Sequence, residues 1–286
     1  MSTTPIRWQD YKSPLNPIWC PGCGHFGVLN ATYQALAALG IPQHDICFIS
    51  GIGCSSRIPG YTKTYGFNSI HGRALPIASG VKLANPKQTV IVATGDGDCL
   101  AIGAGHFPHT AKRNVDITVL MMDNGIYGLT KGQTSPTSPH EMKTKSAYFG
   151  NQEVPENPIA LALAYQATFI GRSFSANIPH LADLITKAVR HKGFSFLQIL
   201  SPCVTYRGRD QFVVLRELCQ PLPDTHSPDD RMSAYKYAED PSKLWIGLFY
   251  EAQTPTLEDK LNHVMDVARQ TKGRMEKETL LKRFQI

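Results

Sequence analysis

The chain has 286 residues, 42% of them hydrophobic and 18% charged, with a formal net charge of +6. That apolar content excludes a disordered chain and is enough for one large α/β domain or two small ones. No run of five or six like charges, no apolar leader and no stretch approaching 18 apolar residues is present, so neither nucleic acid nor a membrane is an expected partner, and the cytoplasm is the expected compartment.

Residues 1–19 hold three prolines and no periodicity, and predict an extended arm. The tight loop Trp19-Cys20-Pro21-Gly22-Cys23-Gly24-His25 follows. Val28 to Leu39 is Ala/Leu-rich and helical, stopped by Gly40 and Pro42. Ile46 to Ser50 is a short apolar run ended by Gly51-Ile52-Gly53, the pattern of a buried strand entering a loop. A helix is predicted over 70–84, a strand over Thr89–Thr94, a helix over 99–112 and a strand over Val115–Met122. The polar segment Gly132–Pro158 is long enough to be functional or mobile. Helix 159–166, strand 168–171, helix 178–191 and strand 194–200 complete the alternation. This order predicts an α/β fold with a mainly parallel sheet and helices on both faces. Residues 1–210 are expected to form that domain. Residues 211–286 are expected to be a C-terminal extension that contacts other subunits, with a helix near 256–270 and a basic tail from Thr271.

In a parallel α/β sheet, ligands bind beyond the carboxyl ends of the strands. Three predicted strands run into Gly51-Ile52-Gly53-Cys54-Ser55-Ser56, Gly95-Asp96-Gly97-Asp98 and Asp123-Asn124-Gly125-Ile126-Tyr127-Gly128. All three loops should share one edge. Asp96 and Asn124 are hard oxygen donors at two strand ends, a pairing that suits Mg²⁺ with phosphate oxygens. The glycines let main-chain N–H groups approach a phosphate. An isolated Gly-Asp-Gly is more often a plain turn; the second arm at the expected distance favours the site.

Seven cysteines without a secretory leader favour thiols or metal ligands over disulfides. Cys20 and Cys23 share a loop, and Cys54 and Cys203 follow predicted strands on the diphosphate edge. Four such thiols suit an iron–sulfur cluster or a zinc site. Spacing leaves open that Cys54 and Cys203 are ordinary buried thiols. Cys47, Cys99 and Cys219 are expected to be packing residues.

Gly-Asp-Gly followed, after residues 98–123, by Asn resembles the thiamine-diphosphate enzymes. That resemblance implies that Asp96, Asn124 and the Ile126 carbonyl hold Mg²⁺ on the cofactor diphosphate. Asp123 stands where many members have a second asparagine, a departure expected to matter little. Trp19 to His25, Gly51 to Ser55, His71-Gly72-Arg73, Gly95 to Asp98 and Tyr127-Gly128-Leu129-Thr130-Lys131-Gly132-Gln133 together resemble the β subunit of 2-oxoacid:ferredoxin oxidoreductases, over residues 17 to 210. The family implies a thiamine-diphosphate-binding fold of the diphosphate-binding type, and a [4Fe–4S] cluster on Cys20, Cys23, Cys54 and Cys203. It also implies cofactor contacts from Ile52, Gly53, Cys54, Ser55, His71, Gly95, Gly97, Asp98, Gly128 and Leu129. Lys131 is the better candidate for the substrate carboxylate, with Arg57 second.

The implied reaction is CoA-dependent oxidative decarboxylation of a 2-oxoacid, 2-oxoglutarate ahead of pyruvate, with electrons passed to ferredoxin. The glutamate that activates the thiamine ring is expected from a separate α subunit, so the chain alone should be inactive. The alternatives are a cluster-free thiamine decarboxylase subunit and a non-catalytic zinc or iron–sulfur scaffold.

Overall fold

A computed structural model of the chain describes residues 5–272 and 276–284. The first four residues of the predicted arm, and residues 273–275 and 285–286 of the predicted basic tail, lie outside the described residues. Eight strands form one sheet: β1 (Ile46–Ser50), β2 (Tyr65–Asn68), β3 (Thr89–Gly95), β4 (Thr118–Asp123), β5 (Phe169–Phe174), β6 (Ser195–Leu200), β7 (Cys219–Pro221) and β8 (Leu244–Glu251). Their spatial order is β2-β1-β3-β4-β6-β5-β8-β7. Strands β1 to β6 are mutually parallel, and β8 pairs antiparallel with β5. The carboxyl ends of β1, β3, β4 and β6 therefore meet at one edge.

The helices are α1 (His25–Leu39), α2 (Ile58–Tyr61), α3 (Ala74–Ala84), α4 (Phe107–Arg113), α5 (Pro158–Ala164), α6 (Ile178–Arg190), α7 (Gln211–Leu218), α8 (Arg231–Ala238), α9 (Leu257–Lys272) and α10 (Lys277–Lys282). The strands alternate their side chains between two apolar layers, as the two-residue strand period requires. Phe48, Ile91, Leu120 and Leu197 face α1, α2 and α6; Ile49, Val92, Val119 and Phe196 face α3, α4, α5 and α8. Strands buried on both faces read as continuous apolar runs, which made them visible in the sequence. No helix among the described residues is long and apolar enough to cross a membrane.

Several expectations shift. The N-terminal arm is pinned by a 3₁₀ turn at Trp8–Tyr11, with Tyr11 buried and its hydroxyl donating to Leu36 and Ile41 carbonyls at 3.0 and 2.6 Å. The helix predicted over 70–84 starts at Ala74, because Gly72 turns the chain with a φ of 72°. The single helix predicted over 99–112 is two pieces. A π-helical turn at Gly97–Ile102 ends at Gly103-Ala104-Gly105, and α4 restarts at Phe107. Strand β2 is a short exposed edge strand with too little apolar pattern to read. Strands from beyond residue 210 extend the main sheet.

Helices α1 and α6 pack together where Gly27 meets the chain before α6. A Cβ on Gly27 would overlap the Ser175 carbonyl oxygen. Alanine at an exposed mid-helix glycine usually stabilises by up to about 1 kcal/mol. Here Gly27→Ala is expected to destabilise by roughly 1–3 kcal/mol through overpacking, read as a lowered denaturant midpoint.

Candidate functional site

Loops from the ends of β1, β3 and β4 surround a narrow pocket lined by Gly53, Ser55, His71, Asp96, Asn124 and Tyr127, among others. Asp96 is buried at the end of β3. Its carboxylate accepts from the Ser135 hydroxyl and from Thr137 Oγ1 at 2.9 Å, with the Asn124 N–H at 3.5 Å. Burial, and then the charge of Asp123, push the Asp96 carboxyl up to about 7. Asn124 Oδ1 accepts from the Ile126 N–H at 3.0 Å, and the Asn124 carbonyl accepts from Arg207 at 3.1 Å. The Ile126 carbonyl accepts no main-chain hydrogen bond among the described residues.

The buried electrostatics fit a divalent cation here. Asp96, Asp98 and Asp123 are all buried at this end of the sheet. Buried Arg172 reaches Asp123 only through Gln198, with Arg172 Nε donating to Gln198 at 2.8 Å and Gln198 Nε2 to Asp123 at 2.7 Å. Negative charge therefore exceeds positive in a low-dielectric region, and Mg²⁺ on Asp96 and Asn124 would offset it. The carbonyl of Ile126, without a main-chain partner among the described residues, would be the third donor.

Asp98 has a different task. Its Oδ1 accepts from the N–H groups of Ile52 and Gly72 at 3.1 and 2.7 Å and lies 2.8 Å from His71 Nδ1. Its Oδ2 accepts from Thr94 Oγ1 at 2.6 Å. Asp98 thus lines the pocket but uses its carboxylate to bind the β1 loop and the His71 turn together. The Tyr127 ring meets the His71 ring edge-on, and its hydroxyl donates to the Gly97 carbonyl at 3.2 Å. A Cβ on Gly97 would overlap that ring, so the backbone must be bare where it borders the pocket.

The four cysteines singled out by sequence line one cleft of about 250 Å³, together with Arg57, Leu129 and Lys131. Three segments far apart in sequence are clamped to make it. Trp19 Nε1 donates to the Cys54 carbonyl at 2.7 Å, the Gly24 N–H to the Pro202 carbonyl at 3.1 Å, and His25 Nδ1 lies 2.6 Å from Ser201 Oγ. A Cβ on Gly128 would sit 3.7 Å from the sulfurs of both Cys54 and Cys203. Burial raises the Cys54 thiol and pushes Cys23 up to about 12. Among the described residues no three His, Cys, Asp or Glu side chains converge on a point that could hold one ion. Four thiols lining one cavity are the donor set a cluster would need.

Cys47, Cys99 and Cys219 lie away from this cleft, and Cys99 is buried in the core. Lys131 is exposed at the cleft mouth with a φ of 79°, a strained value for a side-chain-bearing residue. Arg57 is half-buried on the opposite loop. Residues without a role in the sequence reading are Thr94, Ser135, Thr137 and Arg207. Ser135 and Thr137 lie in the segment Gly132–Pro158, whose length marked it as functional or mobile; nothing local marked the other two.

Comparisons with known proteins agree with this geometry. Residues 51–199 match the family model described as thiamine pyrophosphate enzyme, C-terminal TPP binding domain, and residues 203–266 match the model for the C-terminal part of the pyruvate ferredoxin oxidoreductase beta subunit. The chain is 42% identical over 271 residues to subunit beta of 2-oxoacid:ferredoxin oxidoreductase 2 of Aeropyrum pernix, which spans 90% of this chain and 88% of that one. It is 40% identical over 251 residues to the 2-oxoglutarate synthase subunit KorB of Methanothermobacter marburgensis, 87% of this chain and 88% of the other. It superposes with a TM-score of 0.93 on a chain of the 2-oxoglutarate:ferredoxin oxidoreductase of Magnetococcus marinus, solved with 2-oxoglutarate, coenzyme A and succinyl-CoA bound. That pair is 41% identical, and the match covers 98% of this chain and 97% of the other. A thiamine-type phosphate edge, a ring of four thiols beside it and this degree of likeness along nearly the whole chain place the protein in the 2-oxoacid:ferredoxin oxidoreductase β-subunit family.

Proposed function

We propose that the chain is the cofactor-holding subunit of a cytoplasmic enzyme that converts 2-oxoglutarate and coenzyme A to succinyl-CoA and CO₂, releasing a proton and passing two electrons to ferredoxin. The observation that carries this reading is the adjacency of two sites. One short loop, Ile126 to Leu129, lines the Asp96–Asn124 pocket with Ile126 and Tyr127 and touches the thiol ring with Gly128. Electrons released beside the pocket have a neighbouring acceptor site with no intervening element. A cluster-free decarboxylase subunit would leave that ring of thiols without a use.

Thiamine diphosphate would supply the nucleophilic carbon and electron sink for decarboxylation, and a [4Fe–4S] cluster one-electron acceptance. The chain's residues supply position and charge. Asp96, Asn124 and the Ile126 carbonyl would hold Mg²⁺ on the diphosphate. Ile52, Gly53, Ser55, Gly95 and Gly97 offer backbone and hydroxyl contacts along the pocket, and Leu129 closes its side. Asp98 holds the His71 ring fixed at the pocket wall. Lys131 and Arg57 bring positive charge where substrate carboxylates would enter. None of the residues lining the pocket is a glutamate. This reading assigns the proton-handling glutamate of the thiamine ring to the α subunit.

The test is anaerobic co-expression with that α subunit. The complex should reduce ferredoxin only with both 2-oxoacid and coenzyme A present, at least about tenfold faster in kcat/KM with 2-oxoglutarate than with pyruvate. The isolated chain should be inactive. A complex replete in thiamine diphosphate, iron and sulfide that reduces nothing with either acid would overturn the reading.

A further inference from the structure

Arg172 stands inside β5 and is only 4% exposed. Arginine is seldom buried so fully without a carboxylate partner, yet among the described residues no carboxylate lies within 4.0 Å of it. Its Nη1 donates to the Trp245 carbonyl at 3.2 Å, and its guanidinium lies 5.2 Å from the centre of the Phe249 ring, both on β8. Burial draws the guanidinium down to about 10, against the opposing pull of Asp123, so it stays charged at neutral pH. A core gains little from such a cation, because apolar side chains of similar volume often replace buried charges without loss of stability.

Two hydrogen bonds carry the charge toward the site. Arg172 and Gln198 lie opposite each other on β5 and β6. Arg172 Nε donates to Gln198 Oε1 at 2.8 Å, and Gln198 Nε2 donates to Asp123 Oδ2 at 2.7 Å. An arginine only donates and an ionised carboxylate only accepts, so the Gln198 amide has one orientation in which both bonds form. Asp123 Oδ1 accepts from the Gly125 N–H at 3.2 Å, closing a turn around Asn124. Thr137 Oγ1, 2.7 Å from the same oxygen, also stands 2.9 Å from Asp96 Oδ2. The Asp123 carboxylate thus braces the turn on one side and the Thr137 loop on the other.

We propose that Arg172 and Gln198 are positioning residues for the Mg²⁺ loop: they hold the Asp123 carboxylate where it closes the turn around Asn124, and so keep Asn124 and the Ile126 carbonyl set for the cation. The proposal rests on the assignment of Mg²⁺ and thiamine diphosphate to the Asp96 pocket. Neither Arg172 nor Gln198 is among the residues lining that pocket, so both act through Asp123. Because β8 holds the guanidinium, the chain beyond residue 210 reaches the cofactor site through Arg172.

The test uses the αβ complex, stripped of Mg²⁺ and thiamine diphosphate by a chelator and titrated with Mg²⁺ at fixed thiamine diphosphate. In Arg172→Met the Mg²⁺ concentration for half-saturation should rise roughly tenfold, the size of one lost charge-assisted hydrogen bond, with iron content unchanged. Gln198→Met keeps both charges, removes only the link and should give the same rise. Arg172→Lys keeps a charged donor and should recover most of the affinity. Adding Arg172→Met to Asp123→Asn should cost less than about twofold more, because the relay acts through the Asp123 carboxylate. That background also lacks the buried carboxylate that Arg172→Met leaves uncompensated, so it reads the coupling even where the single variant folds poorly. A melting temperature that falls while Mg²⁺ affinity holds would make Arg172 a core residue and overturn the proposal. So would an equally large loss of affinity in the Asp123→Asn background. No Mg²⁺-dependent binding of thiamine diphosphate by the parent complex would instead overturn the site assignment beneath it.

Discussion

Replacing Asp96 by alanine is expected to weaken Mg²⁺-dependent binding of thiamine diphosphate by roughly 10²- to 10³-fold while leaving the cluster's visible absorption in place. Asp96 is the carboxylate of the proposed metal set, and its loss leaves only one amide oxygen and one carbonyl to hold a divalent ion. The second half of the expectation follows from the architecture. The thiols are held by Trp19, Gly24 and His25 contacts that do not pass through Asp96. Dialysis against Mg²⁺ with thiamine diphosphate, followed by cofactor assay and an absorption spectrum, reads both halves. Unchanged cofactor binding would falsify the magnesium assignment.

Asparagine at the same position separates charge from shape. Without a cation, Asp96 titrates at about 7 in the fold, raised by burial first and by Asp123 second. An unfolded aspartate titrates near about 3.9. The folded chain therefore binds the extra proton between those values, and the cation-free fold loses stability as pH rises from about 4 to about 7. Asp96→Asn should remove that slope. Mg²⁺ with thiamine diphosphate should restore stability at neutral pH in the parent chain and not in the variant, which melting curves at either end of the window would show.

The legible part of this protein was what strand ends and glycines dictate. The runs at Ile46–Ser50, Thr89–Thr94 and 194–200 are buried on both faces, so their apolar continuity survives in one dimension. Their parallel order then brings Cys54, Asp96, Asn124 and Cys203 to one edge. The break at Gly103-Ala104-Gly105 was legible and missed: two glycines lie in it, and Pro108 stands in the first turn of α4 where the helix restarts. Asp123 was undervalued for a different reason. Its place beside Asn124 looked like a minor departure, yet it accepts from Gly125, Thr137 and Gln198 and so ties the pocket to buried Arg172. Hydrogen bonds that span distant segments leave no spacing signature. The same holds for Ser135 and Thr137, which reach Asp96 from a loop about 40 residues away.

Replacing Cys203 by alanine is expected to take iron from about four atoms per chain to less than about one, with sulfide falling in step, because each iron of a four-cysteine [4Fe–4S] cluster takes one thiolate. Cys203 is the proposed ligand that would close the ring, since it arrives from the end of β6 while Cys20, Cys23 and Cys54 come from the N-terminal third of the chain. The fold around it should persist. The Gly24–Pro202 and His25–Ser201 hydrogen bonds do not involve the Cys203 side chain, and Cys203 does not line the Asp96 pocket, although Cys54 and Asn124 line both cavities. The variant complex should therefore retain thiamine diphosphate while losing 2-oxoglutarate-dependent ferredoxin reduction. Cys47→Ser and Cys219→Ser serve as controls, because neither residue lines the thiol cleft, and both should keep full iron content. Zinc in place of iron in the anaerobically purified parent chain, or a Cys203→Ala protein with undiminished iron and sulfide, would sink the cluster assignment. Loss of thiamine diphosphate together with iron would show that the two sites depend on each other through the Ile126–Leu129 loop. That outcome would leave both ligand sets in place and remove the independence argued from the three clamps.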